Sequence, residues 1–253
     1  MKGSALDRNA GAIGVLIFLV IWELAARLIW RDPTVLPSPT QALAQAFTTL
    51  TWSQLLGDIG ISLGRIVAGF AIATVCGVAL GLACGWFRTF GLVLAPLVEL
   101  LRPIPPLAWI PIAIVWFGLG EPSKVFVIAL GAFFPIFTNA YRGLTMISPV
   151  LFRAARTMDV DGLTLLWKVA VPAAMPDIAV GLRVGFGLAF GVLVAAELIA
   201  ADSGMGHLIM EARELGHLGV SIFGILLIGT VNLVVDRQLG SIIARTIGRW
   251  AKV

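Results

Sequence analysis

The stretch IVAGFAIATVCGVALGLACGWF, Ile66–Phe87, runs for 22 residues without a charge. A helix needs about 20 apolar residues to cross the hydrocarbon core of a bilayer, so this stretch is long enough to span one. Apolar residues make up 59% of the 253 residues and charged residues only 13%, with a mean hydropathy of +0.98. A soluble domain of this size cannot bury so much apolar surface, and the composition therefore excludes an ordinary cytosolic enzyme and a disordered chain.

Five further apolar segments follow the same pattern, which predicts an all-α membrane protein with six transmembrane helices in one domain, residues 1–253. The third segment contains Pro103, Pro105 and Pro106. Such breaks are tolerated at membrane depth only where protein or a water-filled cavity meets the freed carbonyls, so this segment is expected to line a pathway. The predicted spans cover about residues 12–29, 63–87, 92–119, 124–141, 178–200 and 218–236.

The distribution of Lys and Arg predicts the orientation, because basic residues collect on the cytoplasmic side of membrane proteins. Twelve of them fall on the side of the two termini and of the connector 142–176. The other side has five, namely Arg27, Arg31, Arg65, Lys124 and Arg213. Both termini are therefore predicted in the cytoplasm. The basic residues collected on the cytoplasmic side account for the net charge of +4. No nucleic-acid partner is therefore expected.

The connector Arg142–Pro176 is amphipathic. Its apolar residues recur at steps of three or four, and an opposite stripe is polar or basic. This predicts one helix or two short ones, ended by Pro172 and Pro176 before the fifth span. Periodicity leaves two interpretations open, a helix resting on the bilayer surface and a helix presented to a cytoplasmic partner.

The spacing within this connector resembles the EAA loop of bacterial ABC-importer permeases. Ala154-Ala155, three residues, Asp159, nine residues, Val169, one residue and Val171-Pro172 match the family pattern Glu-Ala-Ala, three residues, Gly, nine residues, Ile, one residue, Leu-Pro. Two positions depart from it. Arg153 replaces the common Glu, and Asp159 replaces a glycine that makes a turn between two short helices. Asp tolerates left-handed backbone better than most residues, and Gly162 follows closely, so a shifted turn is left open.

The resemblance extends from about Trp22 to Asp236. Other segments are similar, in order, to permeases that import sulfonates, taurine, nitrate or bicarbonate: residues 36–39, 62–65, 100–108, 116–120, 196–199 and 203–206.

The resemblance implies the type I importer permease fold, with a cytoplasmic coupling helix within residues 151–172. It implies a transport subunit of the bacterial inner (plasma) membrane and not an enzyme. The implied partners are the lipid bilayer, a second permease copy in a homodimer, two cytoplasmic ATPases, and an external binding protein that delivers a small solute such as a sulfonate, taurine, nitrate or bicarbonate. The residues implied in coupling are Arg153, Ala154, Ala155, Asp159, Gly162, Val169 and Pro172.

No cofactor is expected on this chain. The sequence lacks a Gly-x4-Gly-Lys-Ser/Thr phosphate loop, so the resemblance assigns ATP and Mg to the partner ATPase. His207, Glu211 and His217 form only a weak metal pattern on a polar connector, and no metal site is predicted.

Four residues are predicted to lie on the translocation pathway or its gate: Arg102, Pro105, Asn139 and Glu197. Ionisable groups inside a membrane are costly and are functional candidates by default. Arg102 could instead pair with Glu99, and Asn139 could join two helices by hydrogen bonds.

Glu197 is predicted to belong to the outer gate. It lies 19 residues beyond Ile178, which is roughly 28 Å along a helix and close to the full hydrocarbon thickness. Two simpler interpretations are open: the carboxylate extends outward to water, or it pairs with Arg65 or Arg213.

Two other classes of function compete with an importer subunit. A self-contained channel or secondary transporter is disfavoured by the lack of an inverted repeat and the few intramembrane ionisable residues. An intramembrane enzyme needs a buried catalytic pair or a metal, and the sequence offers no convincing one.

Overall fold

The computed structural model describes residues 5–30, 32 and 35–246, with the backbone alone for residues 5–10 and 12. Arg31, one of the five basic residues assigned to the outside, lies outside the described residues. The α-helices are α1 (Ala5–Ala25), α2 (Pro39–Thr49), α3 (Trp52–Trp86), α4 (Arg88–Leu101), α5 (Ile110–Phe117), α6 (Glu121–Thr145), α7 (Pro149–Arg156), α8 (Gly162–Leu165), α9 (Val171–Ala200), α10 (Met205–Glu214) and α11 (Leu218–Thr246).

Three further helical turns join these elements. A π turn, Ala26–Trp30, continues α1, and a 3₁₀ turn, Pro106–Trp109, precedes α5. A second π turn, Leu166–Ala170, connects α8 to α9. Every regular element within the described ranges is therefore helical, which confirms the prediction of an all-α chain.

Five helices in the described part are long and apolar enough to cross a membrane: Ile13–Trp30, Trp52–Trp86, Glu121–Thr145, Gly162–Ala200 and Leu218–Thr246. A sixth span results if α4 and Pro106–Phe117 count as one broken span, with a bend of 92° between them. The bend falls where Pro103, Pro105 and Pro106 each lack a backbone N–H and so interrupt the helical bonding. The membrane fold is thus the predicted one.

The second membrane helix begins earlier than the predicted residue 63. Helix α3 starts at Trp52, and its first turns bury Leu55 in an apolar cluster with Leu208, Ala212 and Val220. This first part of α3 is an amphipathic helix that contains the charged Asp58, so a search for uncharged residues places the start of the helix too late. The carboxylate of Asp58 accepts a bond from the backbone N–H of Gly204 at 2.8 Å.

The prediction that Pro172 and Pro176 end the connector before the fifth span is wrong. Helix runs without a break from Gly162 to Ala200. In the π turn, the N–H of Val171 donates to the carbonyl of Leu166, five residues back. Pro172 then falls in the first turn of α9, where its fixed φ suits a helix and its missing N–H interrupts little.

The contacts within the chain form two compact units, residues 1–60 with 202–230 and residues 61–201 with 231–253. The single domain of residues 1–253 stays a prediction.

In the first unit, Ser38 caps α2 as the sequence predicts, in a capping box with Gln41. Glu23 accepts bonds there from Arg27 Nε at 2.5 Å and Thr40 Oγ1 at 2.7 Å, which fixes α1 against α2.

In the second unit, small residues let three helices approach closely. Four glycines of α3 at steps of four or eight face α6: Gly69, Gly77, Gly81 and Gly85. Gly181 and Gly185 of α9 face α6 from another side. Close packing of small residues drives helix association in lipid, where burial of apolar area does not. Helices α3 and α9 are therefore both held in close contact with α6.

We expect Gly81→Ala to lower the unfolding midpoint in detergent by the equivalent of roughly 1–3 kcal/mol, the cost of overpacking. A Cβ at position 81 would lie 2.7 Å from the carbonyl oxygen of Phe137, a backbone atom that cannot move aside. Gly64→Ala is the matched control in the same helix, since a Cβ there meets nothing within 4 Å. It should be neutral or stabilising by up to about 1 kcal/mol. Equal midpoints for the two variants would contradict the close contact.

Candidate functional site

The predicted coupling segment is a helix, a tight turn and a second helix. Helix α7 starts at Pro149 behind the N-cap Ser148 and ends near Arg156. The N–H of Asp159 donates to the carbonyl of Arg156, and the N–H of Val160 donates to that of Ala155, both at 3.1 Å. These two bonds form a Schellman motif, which needs a left-handed residue at the position of Asp159.

Asp159 has a φ of +57°, and in the described residues it is the non-glycine residue with a positive φ. The turn therefore lies at the position where the family pattern has glycine. Gly162 also has a positive φ, +52°, at the start of α8. The departure at Asp159 keeps the turn, because a short polar side chain tolerates this backbone conformation.

The coupling residues divide into a buried and an exposed face. Ala155 is buried, and so are Leu165, Leu166 and Ala170 of the following turns. Arg153, Ala154, Asp159 and Gly162 are exposed, while Val169 and Pro172 are half-buried. The outer face also presents large apolar side chains, namely Val150, Met158, Leu163 and Trp167. Large exposed apolar side chains close together are unusual on a connector that contacts only water, and they are typical of an interaction site.

A second constellation is a buried ion network centred on Arg65 of α3. Arg65 Nη1 donates to Glu197 Oε1 at 2.8 Å. Its Nε and Nη2 donate to the two oxygens of Glu121 at 2.7 and 2.6 Å, a bidentate pair. The Ser62 hydroxyl lies 2.7 and 2.9 Å from the oxygens of Glu197, and Lys124 Nζ lies 3.3 Å from Glu121. One guanidinium thus joins α3, α6 and α9.

The network decides between the interpretations of Glu197. Its side chain is fully buried, so the interpretation in which it extends outward to water is wrong. The pairing with Arg65 is the one observed, and the role in an outer gate stays a prediction.

Arg65 and Lys124 are themselves buried, so two of the five charges assigned to external connectors belong to the helix layer.

The remaining pathway residues meet at a different place. A cavity of about 440 Å³ is lined by Arg102, Thr138, Asn139, Arg142, the neighbouring Pro106 and Leu188 among others. Arg102 and Asn139 are therefore brought together. Pro105 lies at the break beside Pro106, and Glu197 does not line this cavity.

Two alternatives for these residues are not observed. Asn139 Nδ2 donates to the carbonyl of Pro135 at 2.8 Å, a bond within α6, so Asn139 does not join two helices by this group. Its Cβ instead lies against Gly181, where α6 and α9 meet. Glu99 and Arg102 form no ion pair in the part of the chain that the structure describes.

The sequence interpretation missed two members of the ion network, Ser62 and Glu121, and two residues that line the cavity, Thr138 and Arg142. Ser62 and Arg65 stand three apart on α3 and face the same carboxylate, a spacing that was visible in the sequence. The charge distribution in the sequence places Arg142 on the cytoplasmic side but assigns it no site. Nothing in a single sequence places Arg142 beside Arg102, 40 residues away in the chain.

The model of the family described as binding-protein-dependent transport system inner membrane component matches residues 77–248. This range includes the coupling segment, the cavity and most of the ion network. The chain belongs to this family.

Relatives support the same assignment over most of their length. An archaeal protein of Methanocaldococcus jannaschii, named as an ABC transporter permease, is 42% identical over 87% of this chain and 84% of its own. The taurine transport system permease of Escherichia coli K12 is 36% identical over 90% and 85%. The nitrate import permease of Synechocystis is 33% identical over 89% and 84%.

As a permease of this family, the chain is a transport subunit of an ABC importer and not an enzyme. Membership also sets aside the self-contained channel or secondary transporter, because family members work with an ATPase and a binding protein. The chain is a multi-pass membrane protein.

We expect Glu197→Gln to destabilise the permease by about 3 kcal/mol, because it leaves part of a buried charge on Arg65 uncompensated. Glu121→Gln is the matched control on the same arginine. The Glu121 side chain is 56% exposed and that of Glu197 0%, so water can replace the lost contact and the cost should stay under about 1 kcal/mol. Unfolding in detergent micelles measures both. A larger loss for Glu121→Gln would reverse the assigned importance of the two carboxylates.

We expect Asp159→Val to speed trypsin cleavage after Arg153 or Arg156 by about tenfold. A β-branched residue at φ +57° costs roughly 1–2 kcal/mol and frays the end of α7. Asp161→Val is the control: Asp161 has extended backbone, φ −135°, and its side chain makes no cap bond. Asp159→Gly should slow cleavage, since glycine adopts the turn without strain. Equal cleavage of the two valine variants would show that the turn does not depend on position 159.

Proposed function

We propose that this permease works as a homodimer in the inner (plasma) membrane, with both termini in the cytoplasm, and forms the translocation pathway of an ATP-driven importer for a small anion. Two cytoplasmic ATPases bind the segments of residues 149–172 and hold the ATP and Mg. An external binding protein delivers the solute. The anion is of the kind named for the relatives, such as nitrate or a sulfonate compound like taurine.

The observation that carries the proposal is the coupling segment. It has a rigid turn at Asp159, a buried side that holds Ala155, and an exposed side with Met158, Leu163 and Trp167. Large apolar side chains around a helix-turn-helix suit a cleft in a partner protein. Arg153 and Arg156 border them and are exposed, as at the polar rim of a protein interface.

The buried charges support the proposed topology. Arg65 and Lys124 are buried in the helix layer and bonded to Glu121, and Arg65 is also bonded to Glu197. Neither is therefore a connector charge on the side assigned to the exterior. The bias of free Lys and Arg toward the side of the coupling segment becomes stronger. Such a bias is what places these connectors in the cytoplasm.

We expect Leu163→Glu to reduce ATPase retention by at least about tenfold when the permease is purified with its partner ATPase. A carboxylate replaces an exposed apolar side chain that the partner would cover. The control is Leu215→Glu, the same substitution at a leucine of nearly equal exposure, 63% against 64%, in the connector between α10 and α11. It should retain the ATPase, since Leu215 follows α10 and lies two residues from Arg213, on the side proposed to be external.

The readouts are the ATPase to permease ratio after purification and ATP-driven uptake in liposomes. Thermal unfolding checks that both variants fold. If Leu163→Glu keeps a full complement of ATPase and normal uptake, the coupling segment is not the docking site.

A further inference from the structure

The cavity beside the broken third span carries excess positive charge. Its charged lining residues are Arg102, at the end of α4, and Arg142, in the last turn of α6. Thr138 and Asn139 add neutral polar groups, and no carboxylate of the described residues lines the cavity. Its volume of about 440 Å³ lies within the range of small-molecule sites.

The two arginines differ from three other arginines on the membrane helices, which are paired. Arg27 is paired with Glu23, Arg65 with Glu121 and Glu197, and Arg183 with Asp236. Arg102 and Arg142 have no ion-pair partner within the described ranges. Their charge is therefore available to a solute that enters the cavity.

We propose that this cavity is an anion-binding site on the translocation pathway, which receives the oxyanion group of the solute between Arg102 and Arg142. The inference rests on the proposed function and adds the place and the chemistry of solute recognition. A guanidinium presents donors in a planar fork that fits a sulfonate, nitrate or carboxylate. Thr138 supplies a neutral hydroxyl donor to the same volume.

The site is suited to brief binding. Both arginines are exposed, so water screens their charge and the attraction to an anion stays modest. Phe134 and Leu188 contribute apolar wall and make no bonds that would retain the solute. A pathway site must attract the solute strongly enough to enter and weakly enough to leave.

Thiol labelling at Thr138 tests the proposal on the full-length permease in lipid nanodiscs. Cys76 and Cys84 are first replaced by alanine, since both are free thiols, and Thr138→Cys is added. The reaction rates of the anionic 2-sulfonatoethyl and the cationic 2-(trimethylammonio)ethyl methanethiosulfonate are compared. Their ratio is normalised to the ratio for glutathione at the same pH and ionic strength.

We expect the normalised ratio to favour the anionic reagent by about tenfold or more. Arg142 lies four residues after Thr138 on α6, and Arg102 lines the same cavity. Arg102→Gln with Arg142→Gln should remove this preference. The Lys variants at the same positions should keep part of it. Methanesulfonate or nitrate should slow labelling more than chloride at equal ionic strength.

Two controls locate the effect. Arg88→Gln removes an arginine that lines a different cavity and should leave the ratio unchanged. Thr164→Cys, on the exposed face of α8, should give a ratio near that of glutathione in the background that keeps Arg102 and Arg142. A normalised ratio near one at Thr138→Cys, or a preference that survives loss of both arginines, overturns the site.

The labelling requires no ATPase, so its result is separable from the proposed function. If the permease neither binds an ATPase nor transports, the importer proposal fails whatever the ratio. If ATP-driven uptake of nitrate or methanesulfonate is normal in the Arg102→Gln, Arg142→Gln variant with unchanged KM, the importer stands and the anion site is wrong.

Discussion

The salt bridges of Arg65 tie together the helices on which the rest of the molecule depends. A guanidinium in a membrane helix must be neutralised, and Arg65 meets this constraint with Glu121 of α6 and Glu197 of α9. Close approach through the glycines of α3 and α9 brings the three helices near enough for those bonds. The charge constraint and the packing constraint thus select the same arrangement of α3, α6 and α9.

The sequence predicted the membrane class, the helical fold and the broken third span, because each depends on local composition. Uncharged runs of membrane length and prolines at the break leave few alternatives. Helix ends were predicted less well. The amphipathic start of α3 contains Asp58, and the helix around Pro172 continues through a π turn. Both depend on tertiary packing or on bonding register, which a count of charges does not detect.

The candidate sites divide in the same way. The coupling segment follows from spacing within 20 or so residues, and even its departure at Asp159 was open to a physical interpretation. The ion network and the cavity join residues 40 to more than 130 positions apart, such as Arg102 with Arg142 and Ser62 with Glu197. Single-sequence periodicity places each residue on a helix but does not say which helix it faces.

The unbroken helix from Gly162 to Ala200 has a mechanical consequence. At 1.5 Å per residue, its 39 residues form a rod of about 58 Å, with the coupling turn at one end and Glu197 at the other. A tilt of about 5° around the coupling end displaces the far end by about 5 Å, more than a salt bridge can stretch. A small rotation at the coupling end is therefore amplified along the length of this helix, and the π turn Leu166–Ala170 and Pro176 are the points at which it can bend.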